Sequence, residues 1–134
     1  MNRKHIVRIL APLACFALPA CQFGLDVGVQ GEAAAPVFVV KRTGFLPYGT
    51  PTFNDLDITV HGGDRRSVWR VRAFTPTCAA GGERVVYGTV PSQFEATHAP
   101  APLVEGGVYD VFVDGCGPVA WATFQIIGGR VVPR

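Results

Sequence analysis

From Val37 onward, apolar and polar positions alternate with a period of two instead of recurring every three or four residues, the pattern of strands that bury one face. Trp69, Val71 and Ala73 alternate with Arg70 and Arg72, and Tyr109, Val111 and Val113 alternate with Asp110, Phe112 and Asp114. On a later segment Ala120, Ala122, Phe124 and Ile126 alternate with Trp121, Thr123 and Gln125. The first set of each is expected to point inward. The pattern predicts strands over 37–42, 57–61, 68–74, 84–90, 94–97, 108–114 and 120–127, with a short run at Val131. Turn clusters at Gly62-Gly63-Asp64, Gly81-Gly82, Gly106-Gly107 and 115–118 separate them at the spacing of a sandwich or barrel. No helix of useful length follows residue 20, and no internal repeat is visible. The stretch 22–36, QFGLDVGVQGEAAAP, has little periodicity and many small residues, and is read as a flexible tether with a root-mean-square reach of about 20 Å.

Composition sharpens the β reading. From Cys21 onward the chain holds 18 Val against 4 Leu, with 16 Gly and 9 Pro between the runs. Val is stiff at its first torsion and suits a pleated surface, while frequent Gly and Pro supply turns and interrupt helices. An all-β fold follows, and 134 residues leave room for one domain with a modest core, expected over 37–134.

The N-terminus follows a different logic. MNRKHIVR is basic, 9–18 is an uninterrupted uncharged apolar run, and the small residue Ala20 follows. That is the layout of an export signal, and the apolar run is far short of the roughly 20 residues that span a bilayer core. Leu18-Pro19-Ala20-Cys21 resembles the lipobox of bacterial lipoproteins. The resemblance implies a signal peptide over 1–20, cleavage before Cys21 and acyl chains on that cysteine, which makes 21–36 a lipidated N-terminus and tether. Two or more acyl chains anchor stably where one does not. Gln22, in place of the Asp that commonly retains such proteins at the inner membrane, implies the outer membrane in a Gram-negative host. An ordinary secretory signal cut after Ala20 is the alternative. Of 12 Lys+Arg against 10 Asp+Glu, Arg3, Lys4 and Arg8 lie in the leader, so the remainder carries 9 against 10. With no basic stripe beyond Arg65-Arg66, the footprint required for nucleic-acid binding is missing.

The segment 103–111, LVEGGVYDV, resembles the corner leading into strand F of immunoglobulin-like and fibronectin type III sandwiches. It implies a single antiparallel β-sandwich of that kind, with the Tyr109 hydroxyl bonded to backbone a few residues upstream. Together with Val68-Trp69-Arg70-Val71 and Tyr87-Gly88-Thr89-Val90-Pro91 it is also similar to a broad group of small bacterial lipoproteins of unassigned role. One departure is that Val111 stands where an inter-sheet cysteine would follow the corner tyrosine.

Cys15 leaves with the signal and Cys21 is lipidated on this reading, so Cys78 and Cys116 remain, and two thiols in an oxidising compartment usually pair. A Cys78–Cys116 disulfide is expected on that ground, against the topology in which 68–74 is strand C, 108–114 is strand F and the two cysteines emerge at opposite ends. His61 and His98 lack metal-ligand spacing and read as solvated surface residues, so no metal and no cofactor is expected. Ser67 and Ser92 sit outside any nucleophile motif, and Ser67 reads as a strand-opening residue. Asn54, Asp55 and Asp57 stop short of a calcium loop and read as a turn leading into a strand. No set of residues fills every role of a catalytic site, and an enzyme is not expected. The constellation of most interest is the outward face carrying Arg70, Arg72, Asp110, Phe112, Asp114 and Trp121. Exposed Arg, Phe and Trp are the material of binding hot spots, with Arg70, Arg72, Phe112 and Trp121 as the candidate contact residues. The competing reading of the same face is an ionic ladder that satisfies itself.

The expected function is a membrane-anchored cell-envelope lipoprotein acting as a non-catalytic binding or structural module, with the membrane and a protein or other envelope component as partners. An envelope-acting enzyme or carrier, and an inhibitor of an extracellular enzyme using 75–82, are the alternatives. A deep polar pocket would favour the enzyme or carrier, a flat aromatic face the binding module.

Overall fold

Alternating valine-rich segments cannot bury one face alone, and in the computed structural model they do so against each other. The structure describes residues 23–44, 49–75 and 77–134. The expected signal peptide and Cys21 lie outside them. The described residues are all-β, in eleven strands: β1 (Phe23–Gln30), β2 (Val37–Gly44), β3 (Thr52–Phe53), β4 (Asp55–Val60), β5 (Ser67–Ala73), β6 (Ala79–Ala80), β7 (Arg84–Val86), β8 (Phe94–His98), β9 (Val108–Asp114), β10 (Val119–Ile127) and β11 (Arg130–Pro133). All pairings are antiparallel, in a three-stranded sheet of order β1-β2-β7, a six-stranded sheet of order β11-β10-β9-β4-β5-β8, and a small β3-β6 pair.

The two larger sheets pack face to face. From the small sheet Val27, Val29, Phe38, Val40 and Val85 are buried; from the large one Leu56, Ile58, Trp69, Val71, Tyr109, Val111, Val113, Phe124 and Ile126. Phe38 joins the layers, its ring centroid 6.5 Å from Trp69 and 6.1 Å from Phe124. Val68 breaks the strict alternation and is buried beside Trp69, because the β4-β5 register shifts there: Ile58 faces Trp69 while Thr59 faces Ser67. Such a bulge turns two successive residues toward one side.

Two tyrosines fasten loops to this core. Tyr109 is buried, and its hydroxyl accepts the Val104 amide at 2.9 Å, five residues upstream as the corner pattern implies. Gly107 makes that possible, since any Cβ there would run into the Tyr109 ring and hydroxyl. Tyr87 donates its hydroxyl to the carbonyls of Ala101 at 2.6 Å and Val68 at 3.2 Å, and burial pushes its pKa up to about 12.

The tether expectation fails for most of its length. Phe23–Gln30 is a full strand, paired residue by residue with β2 from Phe23↔Gly44 to Gln30↔Val37. Its alternation is present, with Val27 and Val29 buried and Asp26 and Gly28 exposed, but two glycines and an aspartate dilute it. An eight-residue edge strand gains its backbone hydrogen bonds from β2 and its burial from the opposite sheet, and neither is a local property. The end of the strand is held as well: Ala33 N–H donates to Gly129 O at 2.9 Å and Val131 N–H to Gly31 O at 3.0 Å.

The cysteine topology also needs correction. The strand beside β9 is β4, not β5, which pairs on the far side of β4. Two successive antiparallel pairings make β5 and β9 run the same way, so the segments following them leave at the same end. Cys78 and Cys116 therefore meet, with Cα atoms 6.0 Å apart and a disulfide between them.

Candidate functional site: the outward face of the large sheet

Period-two alternation sends Arg70 and Arg72 of β5, Asp55 and Asp57 of β4, Asp110, Phe112 and Asp114 of β9, and Trp121 and Thr123 of β10 to the side away from the core. Register then sorts them into rows. Arg72, Asp55 and Asp114 lie across from one another, and Arg70, Asp57, Phe112 and Trp121 form the next row. The four expected contact residues thus share one face, but they do not share one environment.

On the β4-β5 side the arginines are occupied. Arg70 donates from Nε to Asp55 Oδ1 at 3.0 Å and from Nη2 to Oδ2 at 2.5 Å, and Arg72 reaches the same Oδ2 at 3.3 Å. Asp55 is the buried charged residue of the described structure, only 6% exposed, and both guanidiniums compensate it. Hydrogen bonding to Asp55 raises the Arg70 pKa, against the opposing effect of burial and with further help from the charges of Asp55 and Asp57. Ser67, opening β5, donates its hydroxyl to Asp57 at 2.7 Å. Asp57 lies in the expected strand, whose start moves back to Asp55, and Asp55 serves the arginines.

On the β9-β10 side the aromatics pair only with each other. Phe112 and Trp121 face one another across the strands with ring centroids 4.4 Å apart, tilted by 46°. Phe112 is half-buried, but Trp121 remains 59% exposed, the largest side chain left so in this sheet. Val119, one outward position back along β10, is also exposed.

Beside Trp121 the sheet dips into an open cleft of about 400 Å³ lined by Thr59, His61, Arg65, Asp110 and Trp121. Asp110 accepts the Thr123 hydroxyl at 2.6 Å and faces His61 Nδ1 at 2.9 Å. Burial by itself would raise the Asp110 pKa; the hydrogen bonds from Thr123 and His61, with the charges of His61 and Arg65, outweigh it and hold the carboxyl below its ordinary value. Arg65 comes from the β4-β5 turn in the left-handed region, at φ 49°, following Gly62 and Gly63 in the same region. Comparison with protein-family models, curated protein sequences and solved structures finds no match.

The period-two alternation places Asp110 on this face but carries no sign of the cleft. His61 and Asp110 lie 49 residues apart and meet because β4 pairs with β9. No local spacing carries that signal, so His61 is a bonded partner and not a merely solvated residue. His98, on β8, bonds through Nδ1 to the Ala99 carbonyl. Of the 75–82 segment expected under the inhibitor alternative, Cys78 is bridged to Cys116 and Ala79–Ala80 pairs with β3. Among the described residues no three His, Cys, Asp or Glu side chains form a metal-binding group, and no helix is long and apolar enough to cross a membrane.

Proposed function

We propose that this protein is a lipid-anchored cell-envelope lipoprotein whose immunoglobulin-like or fibronectin type III-like domain is a non-catalytic binding or structural module. It meets a protein or other envelope partner through the Phe112–Trp121 side of its outward face. The observation that carries the reading is Trp121, 59% exposed on a rigid strand and oriented by Phe112, where no other segment of the described chain covers it. Exposed, pre-positioned aromatics concentrate binding energy when a partner desolvates them.

Support for the finer fold comes from order and from the corner. The sequence β1-β2-β7 against β10-β9-β4-β5 corresponds to the A-B-E and G-F-C-C′ order of such sandwiches, with β8 and β11 added at the edges. Tyr109, near the start of β9, occupies the place of the corner tyrosine. The disulfide differs from that family's, since it ties loops at one end of the fold and not the two sheets to each other.

The anchor rests on Leu18-Pro19-Ala20-Cys21, and Gln22 favours an outer-membrane destination. Gln22 alone separates Cys21 from β1, a reach of at most about 7 Å at full extension. An acylated Cys21 therefore seats the domain against the bilayer by the end where β1 begins, which is the disulfide end, since Leu25 lies against Gly115. The cleft beside Trp121 lies toward the opposite end, open to a partner. Mass spectrometry of membrane-extracted protein is expected to find acylated Cys21 as the N-terminus; an intact Met1 terminus would overturn the anchor. In cross-linked envelopes, Trp121→Ala is expected to reduce partner capture with the domain still folded, and equal capture would remove this face.

A further inference from the structure

We propose that the cleft formed by Trp121, Asp110, Arg65, His61 and Thr59 binds a neutral carbohydrate, one sugar ring lying on the exposed indole with its hydroxyls among the polar side chains. The proposal rests on the reading of this face as the contact surface and names the ligand it takes.

Charge disfavours singly charged ligands. The cleft is lined by one carboxylate residue, Asp110, and one guanidinium residue, Arg65, together with Thr59, His61 and Trp121. An anionic ligand meets Asp110 and a cationic one meets Arg65, so each gains from one wall and is repelled by the other. A purely apolar ligand would cover the Arg65 guanidinium and the remaining acceptor positions of Asp110 without answering them, which is unfavourable for both. A sugar hydroxyl is both donor and acceptor, so one ring can donate to the carboxylate and accept from the guanidinium at once. Its C–H face is apolar and flat enough to cover an indole that would otherwise stay in water.

The geometry is prepared in the free protein. Asp110 is fixed by Thr123 at 2.6 Å and by His61 at 2.9 Å, yet a carboxylate has about four acceptor positions, which leaves room for a ligand hydroxyl. Phe112 sets the tilt of Trp121 from 4.4 Å away. Arg65 makes no side-chain hydrogen bond to another described residue, and its backbone sits at φ 49°, a region that favours glycine. The cleft, about 400 Å³, is open to solvent, so a ring lying on the indole would keep its other face in water.

Tryptophan fluorescence tests the proposal on the full protein extracted from membranes in detergent, because Trp69 is buried while Trp121 reports from the surface. The probes are the hexamers of β-1,4-linked N-acetylglucosamine, β-1,4-linked glucose and α-1,4-linked glucose, with choline and inorganic sulfate as charged comparisons. At least one hexamer is expected to give a saturable change that sulfate and choline do not. Trp121→Ala, read by calorimetry, is expected to weaken that binding about tenfold or more. Arg65→Gly is expected to weaken it several-fold while leaving the unfolding midpoint unchanged or higher, since glycine relieves the backbone. Unaltered binding by Arg65→Gly, or a response to choline or sulfate alone, overturns the carbohydrate assignment. Should no hexamer bind while cross-linked capture of a protein still depends on Trp121, the carbohydrate inference falls and the contact face stands. Loss of both removes both.

Discussion

The arginine half and the aromatic half of the outward face come from the same alternation, on strands of the same sheet, and end in opposite conditions. Arg70 and Arg72 are held by a nearly buried carboxylate, so their charge is answered inside the molecule. Phe112 and Trp121 answer each other only in part, and the indole remains largely in water. Four side chains of hot-spot type on one face therefore do not make a four-residue contact surface. What separates them is whether a complementary group stands on the neighbouring strand. Asp55 is diagonal to Arg70 and opposite Arg72, whereas the residue opposite Trp121 is itself aromatic.

The comparison can be tested by disturbing the frame, then each half. Reducing Cys78–Cys116 should cost the most, about 4 kcal/mol for a loop closed by a separation of 38 residues, read from urea unfolding with and without reductant. It acts on the frame beneath both halves, so a loss confined to one would mean that the halves do not share a cooperative unit. Asp55→Asn comes next, at about 2 to 3 kcal/mol, because it leaves two guanidiniums facing a neutral amide at a partly buried site. A change below about 0.5 kcal/mol would show the arginines to be as available as the aromatics.

Tyr109→Phe is expected to cost about 1 to 2 kcal/mol, since it keeps the ring but leaves the Val104 amide without its acceptor. No change in unfolding free energy would separate the corner from the stability of β9, which both halves border. Trp121→Ala is the smallest, under about 1 kcal/mol, as expected for an exposed cross-strand pair. Asp55 and Trp121 lie two strands and one row apart, about 12 Å, so the double variant with Asp55→Asn should be additive within about 0.5 kcal/mol. A larger coupling energy would make the two halves one network.

Most strands were legible because hydrophobic alternation is a local property. Residues 108–114 and 120–127 were placed nearly to the residue, and the inward and outward sides of β9 and β10 follow the expected alternation. The predicted 84–90 strand stops at Val86, where Tyr87 turns into the core and Gly88 takes φ 80°. The stretch 22–36 reads as a tether because Gly24 and Gly28 weaken the pattern of a strand, Phe23–Gln30, that its partners stabilise. Of the candidate contact residues, Trp121 is exposed as expected, but Arg70 and Arg72 are engaged by Asp55 from the neighbouring strand. His61 and Arg65 were invisible as site residues, since they reach Asp110 only across paired strands.

By itself the sequence determined the class of structure, all-β with one buried face per strand, and the set of side chains sent outward, because a period of two needs only the residues next door. Tertiary structure alone decided which strand lies beside which. The insertion of β4 between β5 and β9 brings the two cysteines to one end, gives the arginines a common carboxylate and sets His61 on Asp110. Strand neighbours are chosen by the packing of whole sheets, a global balance of burial and hydrogen bonding that no window along the chain contains.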